Sequence, residues 1–480
     1  MKSRRTDPLV GFDTALRKLL ENTASPIELH PPAHRLLVGY SGGLDSHVLL
    51  HLLAVQHSQR LDRTLEALYV DHGLQAASAA WGEASCARIC RESNIPFRVL
   101  RIDGRPASGE SPEAAARRAR YAAFAAELSS DAALLVAHHR DDQAETLLLQ
   151  LLRGAGPHGL AAMPAAARLG QGWLLRPLLD VDRAELLAYA RIHGLRWIED
   201  ASNADLGFDR NYLRHRVLPL LRERWPAANR TLARSAQHCA ETAAWLDAEA
   251  AADLAGATTE RPDCLALPAL RASSEPRQRN LLRFWLRRLN LPIPDARQLQ
   301  QILHEALHAA ADRNPCVRWP GAEVRRYQDA LYAMPPLTPH DASHTCIWRP
   351  TAAGWPLLAL PGVGGLRMEE TIGAGLRAEA LAGGGLRVRF RQGGERFRPV
   401  GRSHSQELKK LLQEASIPPW ERERLPLLYL PPTLPSQRGG SDLLLAVVGL
   451  GIAADHAAKP GESGWQPVLQ SPSAAGSGIV

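Results

Sequence analysis

From residue 34 onward the chain alternates short apolar strands with helices, and no other feature limits its fold so tightly. "RLLVGY" leads into a helix over 45–57, "LEALYV" (65–70) into a helix near 77–92, and "FRVLRI" (97–102) into "SPEAAARRARYAAFAAEL". Ser111 is a good N-cap for that third helix, and Pro112 suits its first position. "AALLVAHH" (132–139) then precedes a helix from Asp141 to Leu152. Repetition of this kind predicts an α/β fold, a doubly wound parallel sheet covered on both faces. Ligands of such sheets bind beyond the carboxyl ends of the strands. Polar residues collect at those ends: Ser41, Asp71 and His138.

With 480 residues the chain exceeds what one core needs. Residues 1–33 read as an N-terminal helical extension and 34–222 as the α/β domain. A helical domain follows over 228–335, dominated by Ala/Leu/Arg periodicity. Pro/Gly punctuation then predicts a linker near 335–350, a small β-rich (α+β) domain over 350–456, and a disordered tail over 457–480. The run "LLLAVVGLGIAA" (443–454) is broken by glycines and reads as buried strands. Apolar content of 45% with 22% charged residues is that of a globular protein. No window approaches the ~18 apolar residues of a membrane span, and the basic N-terminus lacks a signal-peptide core. A cytoplasmic protein without membrane contact is expected. Its net charge of +7 favours an acidic partner such as nucleic acid. The six cysteines are scattered without a CxxC pair, and Cys86 and Cys90, at helical spacing, read as buried thiols.

"SGGLDS" (41–46) lies between the first strand and its helix. Glycines there let the backbone approach oxygens closely, serine hydroxyls donate, and the helix N-terminus adds partial positive charge. The bland reading is a tight turn with Asp45 and Ser46 as capping residues. A Walker loop would continue into a lysine, and none follows. Asp45 would reach phosphate only through Mg²⁺.

The stretch resembles the loop of the PP-loop ATP pyrophosphatases, which grip the pyrophosphate end of ATP. The resemblance implies ATP binding by Ser41, Gly42, Gly43, Leu44, Asp45, Ser46 and Asp71, with Mg²⁺ at Asp45. "AHHRDDQAETLLLQLLRGAGPHGLAAM" (137–163), "RPLL" (176–179) and "IEDASNADLGFDRNYLRHRVLPLL" (198–221) narrow it further. So do "RQRNLLRFWLRRLNLP" (277–292), "VRWPGAEVRRYQDALY" (317–332) and "GGERFRPVGRSHSQELKKLLQEASIPPWERERLPLLY" (393–429). In this order they resemble the tRNA(Ile)-lysidine synthetases of the longer bacterial form.

That likeness implies a ligase that joins free L-lysine to the wobble cytidine of a CAU-anticodon tRNA(Ile), with ATP giving AMP and pyrophosphate. Asp141, Asp142 and Glu145, expected to share one helix face, would hold the lysine ammonium. His138, Arg117 and Arg210 would stabilise AMP or developing negative charge. Glycines 154, 156 and 159 mark a loop the substrate crosses. Arg214, Arg396, Arg398, Lys409 and Lys410 would contact tRNA. Residues 385–424 carry ten basic side chains against five acidic ones, an excess suited to phosphates. Against this, acids in a first turn often only complement the helix dipole, and a basic helix face is often merely solvated. Oligomeric state stays open, a homodimer included. Rival readings are a tRNA thiolase, which needs reactive cysteines, a glutamine-dependent synthetase, and an RNA-binding protein with a dead loop.

Overall fold

The computed structural model describes residues 11–21, 33–57, 63–72, 76–106, 111–199, 204–310, 313–381, 384–431 and 442–470. The chain divides into two compact units, with the boundary between Ala250 and Ala251.

The first unit is built on six strands: β1 (Arg35–Gly39), β2 (Thr64–Asp71), β3 (Phe97–Arg101), β4 (Ala132–Leu135), β5 (Ala166–Leu169) and β6 (Gly172–Leu175). They lie in the order β3-β2-β1-β4-β6-β5, all parallel except the β5–β6 hairpin. The helices are α1 (Phe12–Glu21), α2 (Leu44–His57), α3 (Ala76–Glu92), α4 (Pro112–Ala126), α5 (Arg140–Leu152), α6 (Pro157–Leu160), α7 (Arg183–Ile192) and α8 (Asp209–Tyr212). Side-chain alternation divides the sheet's two faces. Leu36, Val38, Ala67, Ala133, Leu135 and Leu175 enter one core, whereas Leu37, Leu68, Leu134 and Leu174 enter the other. Both faces are dry, so the strands read as continuous apolar runs.

Strand order reverses between β1 and β4, and the loops leaving these two neighbours open at the same edge. That is where a doubly wound sheet leaves a crevice. The four-residue β4 stops at Leu135, so His138 and His139 belong to the loop rather than the strand. Ser111 caps α4 as expected, accepting from the Ala114 N–H at 3.2 Å, with Pro112 opening the helix.

Three expectations need correction. Helix α1 is no appendage, because Phe12 and Leu16 are buried in the core that contains α2 and β1. Residues 1–10 and 22–32 of that expected extension lie outside the described residues. The middle region does hold helices, among them Ala228–Ala257, Glu275–Arg288 and Ala296–Gln301. It also holds an antiparallel sheet in the order Cys264–Ala266, Ala330–Met334, Ala322–Tyr327, Cys316–Trp319. The β-branched and aromatic alternation of "VRWPGAEVRRYQDALY" drives that sheet, with Val317, Trp319, Val324 and Leu331 pointing into one core.

Both edges of the C-terminal domain also shift. Thr345–Trp348, placed in the expected linker, is a strand paired with Leu386–Arg389, and Trp348 is 1% exposed. Ser463–Gln470, placed in the expected tail, pairs along its whole length with Gly364–Ile372. Trp465 and Leu469 supply the apolar face that holds it there. Residues 471–480 lie outside the described residues. Leu443–Val447 and Gly451–Ile452 are the paired strands expected of the glycine-broken apolar run. Among the described residues no helix is long and apolar enough to cross a membrane.

Candidate active site

After β1 the backbone turns through Gly42, whose φ of +80° lies in the left-handed region. A Cβ there would sit 2.8 Å from Cys86 Sγ and 2.9 Å from Ile198 Cδ1, so glycine is required twice over. Ser46 folds back over the loop: its hydroxyl donates to Gly43 O at 3.0 Å, lies 3.1 Å from Ser41 Oγ, and accepts from the Ser41 N–H at 3.3 Å. Leu44 is buried and starts α2.

A segment after α7 pins the loop from outside. The Ile198 N–H donates to Gly42 O at 2.9 Å, and buried His47 meets Arg196 O through Nδ1 at 2.9 Å. Sequence reasoning missed Ile198 and His47. The signal for them is only the close approach that Gly42 implies. Residues 200–203, the start of the "DASN" stretch, lie outside the described residues.

Asp45 occupies the first turn of α2. Its Oδ2 lies 3.6 Å from His139 Nε2, and its Oδ1 lies 3.9 Å from Arg183 Nε. That Oδ1 is buried without a hydrogen-bond partner among the described residues. One orphaned carboxylate oxygen at the mouth of a phosphate loop fits Mg²⁺, which takes one or two carboxylates and fills its shell with water and substrate phosphates.

The loop after β4 supplies the charges. His139, 1% exposed, N-caps α5, its N–H donating to Asp142 Oδ2 at 3.0 Å and its Nε2 lying 3.4 Å from the same oxygen. Burial alone would lower the His139 pKa, but Asp142, Asp45 and Asp141 outweigh burial and raise it. Asp142 and Glu145, one turn apart, converge on two guanidiniums. Arg210 donates to Glu145 at 2.8 Å and to Asp142 at 3.3 Å. Arg214 donates to both Glu145 oxygens at 2.7 and 2.9 Å and to Asp142 at 3.0 Å. Glu145 is 0% exposed. Burial would raise Asp142, yet His139, Arg210, His138 and Arg214 hold it below the usual carboxylate range.

Arg210 sits on α8, and Arg214 follows in a π-helical turn, Leu213–Val217. Single π-turns are frequent at functional sites.

Two expectations change here. Asp141 does not share the face of Asp142 and Glu145: it turns to Arg222 at 3.5 Å and to the Arg183 N–H at 3.5 Å. Arg214, expected on tRNA, lies instead on Glu145, because the turn from α8 into the π segment directs both arginines at α5. Among the other expected residues, partly buried His138 accepts through Nδ1 from Arg176 Nε at 3.2 Å. Arg117 lies over the Tyr121 ring, 5.0 Å from its centroid. Asp71 closes β2 at the same edge, its carbonyl accepting from the Ile102 N–H.

The basic stretch of the second unit is largely satisfied internally. Arg396 donates to Ser405 O at 2.8 Å, Arg398 pairs with Asp455, Arg402 with Glu414 at 2.7 Å, and Arg387 with Asp442. Arg424 donates to Gly362 O, and Arg422 to Ile417 O and Tyr327 Oη. Lys409 and Lys410 face solvent on the helix Leu408–Glu414. The charge excess that suggested phosphates is therefore mostly an internal lattice of ion pairs and carbonyl contacts.

Residues 10–221 match the family described as PP-loop domain, residues 265–332 the TilS substrate binding domain, and residues 386–469 the TilS substrate C-terminal domain. A tRNA(Ile)-lysidine synthase of Coxiella burnetii is 44% identical over 91% of this chain and 93% of its own length. The proteins of the same name from Methylococcus capsulatus and Xanthomonas axonopodis pv. citri are 44% and 45% identical, over 87% and 85% of this chain and 93% and 90% of their own. A glycine-turned phosphate loop, a charge cluster facing it across the sheet's switch point, and this likeness along nearly the whole chain agree: the chain belongs to the tRNA(Ile)-lysidine synthase family of ATP-using, tRNA-modifying ligases.

Proposed function

We propose that this chain joins the ε-amine of free L-lysine to C2 of the wobble cytidine in a CAU-anticodon tRNA(Ile), changing its codon from AUG to AUA. The base oxygen first attacks the α-phosphorus of ATP, releasing pyrophosphate. Lysine then displaces AMP from C2. The observation that carries this reading is the juxtaposition at the β1/β4 switch point of the Ser41–Ser46 loop with the charge cluster of α5 and α8.

The loop N–H groups, the Ser41 and Ser46 hydroxyls and the α2 N-terminus would hold the leaving pyrophosphate. Bound Mg²⁺, held by Asp45, would supply further neutralisation of phosphate charge. His138, Arg117 and Arg210 would face the charge that develops at the α-phosphate. The ε-ammonium requires a carboxylate, and Asp142 and Glu145 are already engaged by Arg210 and Arg214. Lysine would therefore share those acids with the two arginines, or dock on Asp141, whose only side-chain ion pair among the described residues is the 3.5 Å contact with Arg222. Contacts to tRNA from the second unit would come first from Lys409 and Lys410.

A thiolase would need reactive sulfur. Cys86, packed against the loop, and Cys90 on the same helix are buried, and burial pushes both thiols up to about 12.

The test is AMP release and [14C]lysine incorporation with purified protein. Both should require ATP, lysine and the CAU-anticodon tRNA(Ile) together. AMP formation without lysine transfer, or transfer to tRNA lacking that anticodon, would overturn the reading.

A further inference from the structure

Two histidines stand side by side after β4, and their surroundings are opposite. His139 lies between Asp45 and Asp142. His138 receives Arg176, and a guanidinium has donors but no acceptor. Its Nε–H points at His138 Nδ1 across 3.2 Å. That contact is a hydrogen bond only if Nδ1 presents its lone pair. The ring proton must then sit on Nε2, and a second proton on Nδ1 would set N–H against N–H.

Arg176 is itself fixed. It is 4% exposed, its Nη1 donates to Pro164 O at 2.7 Å, and its backbone N–H donates to Ala165 O at 2.8 Å. Tethered on β6's exit, it cannot follow His138 elsewhere. The other charges facing His138 are Asp142, Arg210 and Arg117. Burial, followed by Arg176, Arg210 and Arg117 against the opposing pull of Asp142, pushes its pKa down to about 3.

We infer that Arg176 is a positioning residue that locks His138 as a neutral imidazole with its proton on Nε2, so that His138 acts as a hydrogen-bond donor and neither as a base through Nδ1 nor as a cation. This deepens the reading above, on which His138 faces the reacting phosphate. A neutral donor can bond an oxygen whose negative charge grows in the transition state without binding the ground-state triphosphate as an ion. Arg117 and Arg210 provide the full charges of the site, and His138 adds a directional N–H.

The decisive measurement is the ¹⁵N spectrum of histidine-labelled full-length protein, with the His138 signals assigned by difference against His138→Gln. Expected at pH 7 is a protonated Nε2 and a bare Nδ1, unchanged on acidification to pH 5. A protonated Nδ1, or an imidazolium at pH 6, overturns the inference whatever the enzyme's activity.

Arg176→Met removes the donor while keeping an unbranched chain of similar length. It should lower kcat about 10- to 100-fold, by analogy with the loss typical when the partner orienting a metal-bound imidazole is removed. KM for ATP should move less than about threefold, and the His138 tautomers should mix. Arg176→Lys, which retains a donor, should recover part of kcat and part of the Nε2–H population. A loss of kcat with the tautomer unchanged would overturn Arg176 as the positioning residue. If Arg176→Met fails to fold, the wild-type spectrum still decides. Full activity of His138→Gln beside the expected wild-type spectrum would instead sink the catalytic reading of His138 and leave the tautomer assignment standing.

Discussion

Two arginine-rich regions of this protein use the same side chain to opposite ends. On α8 and the π-turn after it, Arg210 and Arg214 are drawn onto Glu145 and Asp142 in a setting where Glu145 has no exposure at all. In the C-terminal domain, Arg398 and Arg402 pair with Asp455 and Glu414, pairs in which every side chain keeps at least 35% of its surface exposed. Burial makes the first pairs costly to break, since a lone charge would be left in a low-dielectric site. Water and salt blunt the second. The difference teaches that basic composition does not locate a nucleic-acid surface. What stays accessible after internal pairing in the C-terminal stretch is foremost Lys409 and Lys410.

The comparison is broken most directly at Glu145. Glu145→Gln should cost about 3–5 kcal/mol of stability, because a fully buried carboxylate is neutralised between two half-buried guanidiniums that keep only Asp142 as counter-charge. Asp455→Asn, which frees Arg398 at the surface, should leave stability almost unchanged, since water and salt already screen that pair. Urea midpoints of the two variants check both expectations, and equal losses would end the contrast.

Ser46→Ala touches neither arginine region, so it separates the phosphate loop from both. It removes a hydroxyl that closes on Ser41 and Gly43. Loss of one oriented donor should slow tRNA-dependent AMP formation roughly 10²- to 10³-fold. Affinity for tRNA, measured by filter binding, should stay as it is. A Ser46→Ala enzyme with near-normal turnover would remove the loop from the chemistry.

The buried region also predicts an acid limb. His138 has a folded pKa near 3 against about 6.5 when unfolded. As pH falls below 6.5 the unfolded chain takes up a proton that the folded chain refuses, so stability is lost down to about pH 3. By pH 5 this amounts to about 1–2 kcal/mol. His138→Gln should show a correspondingly shallower fall in stability between pH 6.5 and 5, read from thermal midpoints. Identical acid limbs would mean that His138 accepts a proton in the folded state.

The smallest effect sharpens the exposed side. Replacing Lys409 and Lys410 with alanine should reduce the log–log salt slope of tRNA binding by about 0.7–0.9 for each. Arg398→Ala, whose guanidinium already sits on Asp455, should change that slope less. A larger change for Arg398 would mean that tRNA breaks the ion pair to claim the arginine.

Much of this was legible in the chain itself. Strand–helix alternation implied the parallel sheet, Ser111-Pro112 marked a helix start, and "SGGLDS" marked the loop. These are local signals, carried by residues within one or two turns of each other. The strand Ser463–Gln470 escaped because its polar, Pro-containing sequence is held by a partner about a hundred residues earlier, not by its own pattern. The middle sheet escaped because strong Ala/Leu/Arg helical periodicity on its N-terminal side masked four short strands.

The sequence by itself determined the period of each element, and hence which residues face a core: Leu36 and Val38 on one side of the sheet, Leu37 on the other. It also marked a turn at "SGGLDS", whereas the need for glycine at position 42 came from the fold, through a φ of +80° and the approach of Cys86 and Ile198. Only the tertiary structure decided which charges meet. Arg210 reaches Glu145 across 65 residues, Arg176 reaches His138 across 38, and Asp141 turns away from the acid beside it. Periodicity acts over a few residues and is fixed by backbone geometry. A charge selects its partner only after sheet order and helix crossing have brought distant segments within a few ångströms, and nothing in the order of residues fixes that distance in advance.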